Sequence, residues 1–301
     1  MTTEPLAIRA RDLLLESSRG TVYGPVDLDV PAGRLLGLVS PEGGGRTSLL
    51  LTLAGRMRFS SGSLQVFGHP LPRATGQAQR HSALANFADI DDLDDGLTPR
   101  EILTERAGLL APLWRRVPRW QDPQILATLE LAFGERPIPD PDVHVWELSP
   151  LDTTLLQIAI ALMGDPLLLV VDDIDALHHP SDQLTVWRTL QRLTDGSTTV
   201  PATYARRAAP EGRPPLTVIA SAAAPDLMPP EVDWVDPHGT IPAAPDRPDH
   251  PELTDGPGTY AAGHAPDTDA PDDTDTPDTD DLDGAAGHPT PGLTPVPAQE
   301  G

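Results

Sequence analysis

The sequence predicts an α/β fold, and three stretches carry that expectation. Leu35 to Val39 is a continuous apolar run that reads as a short buried strand. Gly43-Gly44-Gly45 follows it, and Thr47-Ser48 opens Leu49 to Ala54, which reads as a helix. Strand, glycine-rich turn and helix in this order make an anion site, because free backbone N–H groups and the positive helix end converge on one point. The second stretch is Leu167 to Val171, apolar throughout and ending in Asp172-Asp173, as expected of a strand buried on both faces of a parallel sheet. Leu216 to Ser221 is the third, a run of the same kind.

Taken in order, Leu6 to Val30 reads as two or three short strands, the last of them the cleanly alternating V-D-L-D-V. Pro31-Ala32-Gly33 turns the chain into the strand before the loop. Gly55 and Phe59-Ser60-Ser61-Gly62 end the helix after it, and S-L-Q-V-F-G-H-P-L-P supplies a strand and a proline-closed turn. Asn86 to Gly96 holds five aspartates; without the glycine and ligand spacing of a calcium loop, a solvated acidic loop is expected. Thr98-Pro99-Arg100-Glu101 is a sharp helix start, with a capping Thr, Pro at the first helical position and Glu three residues on. Helices then run, with proline breaks, to about Phe133. Trp114, Arg115, Arg116, Arg119 and Trp120 are expected to pack Trp inward and Arg outward, rather than to form a partner groove. Ser149 can cap a helix from about Leu151 to Met163. Ser181 to Leu193 is amphipathic and helical, and Val232 to Val235 closes the strands.

Composition narrows the classes. The 301 residues contain no cysteine, which excludes disulfides, thiolate catalysis and cysteine-ligated metals. Neither a secretory signal nor an apolar run of about 18–20 residues is visible, so a soluble chain is expected. The formal net charge of -24 argues against nucleic acid as a partner. From Asp236 to Gly301, 15 Asp and Glu face the single Arg247, and bulky apolar residues are almost absent. Such a segment buries too little surface to offset the entropy of ordering, so 236–301 is expected to be a disordered acidic tail.

The phosphate-loop pattern G-x-x-x-x-G-K-[ST] is met by Ser40-Pro-Glu-Gly-Gly-Gly45-Arg46-Thr47, with two departures: Ser40 for the first glycine and Arg46 for the lysine. In the order described, these pieces resemble the ATP-binding cassette (ABC) ATPase subunits of transporters. The resemblance covers roughly residues 5 to 235 and rests on order and spacing. V-D-L-D-V-P-A-G-R-L-L-G-L-V and I-A-I-A-L-M-G-D-P-L-L-L-V-V-D-D look very like the family framework. It implies a P-loop NTPase of ABC type: a mixed sheet flanked by helices, a small antiparallel β subdomain and a helical insert over about 98–163, all within a nucleotide-binding domain of residues 1–235.

The resemblance also assigns chemistry residue by residue. Ser40, Gly43, Gly44, Gly45, Arg46, Thr47 and Ser48 take the nucleotide-binding positions, Thr47 and Asp172 the magnesium positions, and Asp173 the position of the catalytic Glu. Several positions depart from the family pattern. Arg46 keeps a charge but is planar and bulkier than lysine. The signature L-S-G-G-Q becomes Leu148-Ser149-Pro150-Leu151-Asp152, which loses both glycines and sets an acid where phosphate would lie. The switch histidine position reads Ala223, the D-loop Asp175-Ala176-Leu177-His178, and the family's Gln before the insert falls near Asp89, unmatched. No adenine-stacking aromatic precedes the sheet. The function implied is a subunit that binds ATP and Mg2+ at a modified loop, docks on a membrane permease and hydrolyses weakly or not at all. It would be cytoplasmic, peripheral on the membrane through the permease, and able to pair as a homo- or heterodimer with another cassette. The alternative is a pseudoenzyme cassette, a binding or regulatory module with little nucleotide affinity.

Overall fold

The computed structural model describes residues 5–112, 114, 119–195 and 214–238. Two sheets form the frame. The antiparallel one has the order β2-β1-β4-β5, from β1 (Leu6–Ser17), β2 (Gly20–Pro31), β4 (Ser61–Val66) and β5 (His69–Leu71). The parallel one has the order β6-β7-β8-β3-β9, from β3 (Leu35–Val39), β6 (Ser82–Ala85), β7 (Leu168–Val171), β8 (Thr217–Ala222) and β9 (Asp233–Val235). Helices α1 (Arg46–Leu53), α2 (Thr75–His81), α3 (Pro99–Leu110), α4 (Pro123–Phe133), α5 (Pro150–Leu162) and α6 (Pro180–Thr194) complete the described chain.

The continuous apolar strands are explained by cores on both faces of the parallel sheet. Along β7, Leu169 and Val171 join the core made with α4, α5 and α6, while Leu168 and Val170 join the one shared with α1 and the antiparallel sheet. Trp187 of α6 is fully buried in the first, and Leu49, Leu50 and Leu53 of α1 in the second. A strand buried on both sides has no polar face, hence no alternation.

Local signals also hold. Thr98 and Glu101 form the reciprocal capping box at α3, and the Ser149 hydroxyl accepts the Asp152 N–H at the start of α5. The expected short strands between Leu6 and Val30 are instead two twelve-residue strands paired antiparallel. Arg11-Asp12, which divides the apolar runs, is an irregularity within β1: Asp12 has φ +47°, and the register shifts between Ala10 and Leu13. Near Trp114 the expectation fails. Trp114 is 76% exposed and lies outside any helix. Trp120 packs against the core, with the Arg100 guanidinium 5.9 Å from its ring centre. Arg115 and Arg116 lie outside the described residues, as does the expected tail beyond His238. The chain holds to the frame past Val235, because the Gly24 N–H donates to the Pro237 carbonyl at 2.8 Å.

Candidate functional site

The C-terminal ends of β3, β7 and β8 place the loop 40–45, Asp172-Asp173 and Ser221–Ala223 side by side, at one edge of the parallel sheet. Open α/β sheets bind ligands at this edge. A cleft of about 500 Å³ lies there, with Val22, Glu42, Arg46, Asn86, Gln157 and Asp173 among its walls.

The loop backbone has the form of an anion cradle. Gly45 occupies the cap position of α1 at φ +76°, and a Cβ there would lie 2.1 Å from the Val22 carbonyl oxygen. Only glycine fits. The first helical N–H groups, of Arg46, Thr47 and Ser48, have no carbonyl four residues back to bond, and Gly45 offers no capping side chain. Ser40 is buried, and its hydroxyl sits where a Cβ on Gly44 would be, 2.1 Å away, so the added side chain packs under the loop. It does not enter the cleft.

Asp172 is 4% exposed, and its two carboxylate oxygens accept from the Thr47 hydroxyl and the Ser221 hydroxyl, each at 2.5 Å. Thr47 and Asp172 therefore present two hard oxygen donors in contact, a set that suits Mg2+ with water in its remaining positions. With the loop N–H groups beside them, the residues fit a phosphate chain and its cation. Asp173 has φ +46°, a left-handed conformation that Asp tolerates better than most residues, and its N–H donates to Ser221 Oγ at 2.8 Å. Burial pushes the Asp173 carboxyl above its ordinary pKa, against the opposing pull of Arg46.

Arg46 departs most from the geometry of a phosphate-facing cation. Its side chain is 9% exposed and turns onto two carboxylates, with Nη2 3.4 Å from Asp173 and Nη1 3.1 Å from Asp175. The same Asp175 oxygen accepts the Ala223 N–H. A chain of polar contacts thus joins the loop to the position where the family has its switch histidine. Asp175 was legible only as part of the D-loop segment; its partners at 46 and 223 have no sequence signal.

The structure adds to two sequence expectations. Spacing set the family Gln position near Asp89, yet Asn86 is the residue on the cleft wall. It follows β6 directly, and its Nδ2 donates to the Asp172 carbonyl at 2.8 Å and the Asp173 carbonyl at 3.2 Å. The signal was available, since Asn86 is the sole asparagine in the chain and a short strand precedes it. Asp152, expected to present an acid to phosphate, gives one carboxylate oxygen to Arg136 at 2.8 Å and the other to the Ser149 hydroxyl at 2.7 Å. Its charge is compensated within its own chain. Pro150 sits at the first turn of α5, where no intrahelical donor is lost. On the far side of the cleft Tyr23 is fully buried and donates to Thr52, leaving Val22 as the wall residue.

The loop 86–96 is less solvated than its charge implies. Asp91 accepts the Phe87 N–H at 2.6 Å, and burial pushes its carboxyl up to about 6. A carboxyl that holds its proton more tightly when folded favours folding at low pH and loses that contribution as pH rises through about 4 to 6. Asp91→Asn should therefore stabilise the protein by on the order of 1 kcal/mol at about pH 7.5, raising Tm there, and leave Tm nearly unchanged at about pH 4.5. Melting curves of the two proteins at both pH values check this.

Comparison with known proteins agrees with the fold. A family profile described as ABC transporter matches residues 23–176, just over half of the chain. The Nod factor export ATP-binding protein I of Cupriavidus metallidurans is 30% identical over 181 residues, which cover 60% of this chain and 56% of the relative. The daunorubicin/doxorubicin resistance ATP-binding protein DrrA of Streptomyces peucetius is 28% identical over 202 residues, covering 66% and 58%. The chain thus spans somewhat over half the length of these curated relatives. Among solved structures, cbiO1 from Clostridium perfringens, part of the ABC transporter complex cbiONQ, superposes with a TM-score of 0.60 at 15% identity over 77% of this chain and 85% of that one. The dimeric cassette MJ0796, a bacterial ABC transporter cassette, gives 0.58 at 14% over 77% and 95%. With the profile spanning both the phosphate loop and the Asp172-Asp173 strand end, the chain belongs to the ABC transporter ATP-binding family.

Proposed function

We propose that this chain is the ATP-binding subunit of a transporter, that it docks on a membrane permease, and that it binds nucleotide at its modified loop with weak or absent hydrolysis. ABC cassettes bind ATP with Mg2+, and the ion would offset phosphate charge. The residues of this chain supply the rest. Backbone N–H groups of Gly45 to Ser48 would hold the phosphates, Thr47 and Asp172 would hold the cation, and Asp173 would take the place of the general base. Among the described residues, no helix is long and apolar enough to cross a membrane, which accords with attachment through a permease.

One observation carries the reduced hydrolysis: Arg46 is bound to Asp173 and Asp175. The loop's cation and the candidate base neutralise each other, so nucleotide must displace an existing ion pair before either can act. The same clamp favours the second reading, a cassette used as a binding module with little nucleotide affinity.

Thermal melting separates them. Saturating Mg-ATP should stabilise the protein by about 2.7 kcal/mol at one hundred times Kd, and Asp172→Ala should abolish the magnesium-dependent part of the shift. No shift at millimolar Mg-ATP would reject the nucleotide-binding reading in favour of the binding module.

A further inference from the structure

One end of the cleft is closed by the chain's own acids. In a phosphate loop the backbone N–H groups cradle the inner two phosphates, and the cation that follows the glycines reaches the outer two. The cradle is open here: Gly45, Thr47 and Ser48 line the cleft, with Asp172 beside them. The cation is engaged. Arg46 Nη1 donates to Asp175 Oδ2 at 3.1 Å, and the same oxygen accepts the Ala223 N–H. One carboxylate oxygen thus holds both the loop cation and the backbone donor at the switch position. The cleft walls include Asp173 and Ala176, on either side of Asp175 in sequence, but not Ala223.

Asp175 is therefore a built-in oxyanion on the donors that a terminal phosphate needs. Two phosphates can rest on the loop N–H groups without disturbing it. A third meets the clamp, and it has two ways to be accommodated. It can stay unpaired beside Asp173 and Asp175, against like charge. Or it can draw Arg46 away, which strands both carboxylates. The Arg46 side chain is 9% exposed and that of Asp175 28%, so the exchange takes place largely out of water, where separating opposite charges costs more than at a surface. Glu42, Asp92, Asp172 and Asp173 also line the cleft, with Arg46 as the one cation among its walls, so each further phosphate charge meets a field that is already negative.

We propose that this site prefers a diphosphate to a triphosphate, and that Asp175 sets the preference by occupying the place of the terminal phosphate. The proposal rests on the reading that the loop binds nucleotide, and it names which nucleotide. Asp175 acts here as a specificity-determining residue, through its hold on Arg46 and on the Ala223 N–H.

The test is calorimetric titration of the full chain with ADP, ATP and pyrophosphate as separate probes, each with Mg2+, beside Asp175→Asn. Asparagine keeps an acceptor oxygen for the Ala223 N–H but loses the charge that holds Arg46. The unmodified protein should bind ADP several-fold more tightly than ATP. Asp175→Asn should shift the ATP-to-ADP affinity ratio about tenfold toward ATP, chiefly by tightening ATP, a change that a merely structural role for Asp175 would not produce. Pyrophosphate binding within a few-fold of ADP would support the proposal and identify the diphosphate itself as the ligand; much weaker pyrophosphate binding, with ADP still favoured over ATP, would support it with a nucleoside diphosphate as the ligand. An ATP affinity equal to or above that of ADP in the unmodified protein overturns the proposal while leaving nucleotide binding intact. So does an Asp175→Asn protein that tightens both nucleotides equally or leaves their ratio unchanged. If none of the three probes binds up to about 2 mM, the nucleotide-binding reading fails and the proposal fails with it.

Discussion

Purified protein supplied with Mg-ATP should turn over at less than about 0.01 s⁻¹, where ordinary enzymes reach roughly 1–10³ s⁻¹. Three impairments act on the same step. Asp173 is one methylene shorter than Glu, and a base must lie within hydrogen-bond reach of the water it activates. Its carboxylate is also bound to Arg46 at 3.4 Å, so the proton acceptor is already engaged. Ala223, at the switch position, offers only a backbone N–H, and that is given to Asp175. Electrostatic preorganisation around a transferring phosphoryl group is commonly the largest single contribution to such catalysis, and here a cation and a carboxylate in the site neutralise each other. Phosphate release by the isolated protein is the measurement. Steady turnover near 1 s⁻¹ or above would mean that the pairing opens readily and that Asp173 serves as an adequate base.

Replacing Arg46 with lysine should tighten Mg-ATP binding about tenfold, which corresponds to about 1.4 kcal/mol, while changing turnover by less than about threefold. The guanidinium reaches Asp173 and Asp175 with two different nitrogens, at 3.4 and 3.1 Å. A lysine ammonium is a single compact charge on a flexible stem and cannot span both carboxylates in that way. It would leave them for the phosphates at lower cost, while the shorter base and altered signature remain. Calorimetric titration of both proteins, beside their turnover, decides the point. Equal affinities would show that the clamp does not oppose nucleotide, and full recovery of hydrolysis from this one change would show that the other substitutions are harmless.

Much of the frame was legible because its signals are local. Thr98 and Glu101 satisfy each other across one helical turn, and Ser149 does the same for Asp152, so three or four residues suffice to read each helix start. β3 and β7 were visible because burial on both faces removes every polar residue from the run. By contrast α2 and β6 gave no signal. Thr75–His81 has no apolar stripe, and Ser-Ala-Leu-Ala is too short and small to declare a strand; β6 exists because it pairs with β7. Missing β6 hid the strand end that Asn86 follows and that carries it to the cleft wall. Short strands are the sequence expectation before Val30 because a bulge and a turn use similar residues, and only pairing with β2 places the irregularity at Arg11-Asp12 within one strand.

The amino-acid sequence by itself determined the order of the elements and the backbone chemistry of the loop. A glycine is needed at 45 because any side chain would strike the Val22 carbonyl, and Thr47 with Asp172 supplies oxygen donors whatever else surrounds them. Where the charge of Arg46 would go was decided only by the tertiary structure. Its partners lie 127 and 129 residues away in sequence, brought to it by the parallel register of β3, β8 and β7. An ion pair of that span has no periodicity and no cap to announce it, because it depends on which strand ends become neighbours and not on the residues beside either partner.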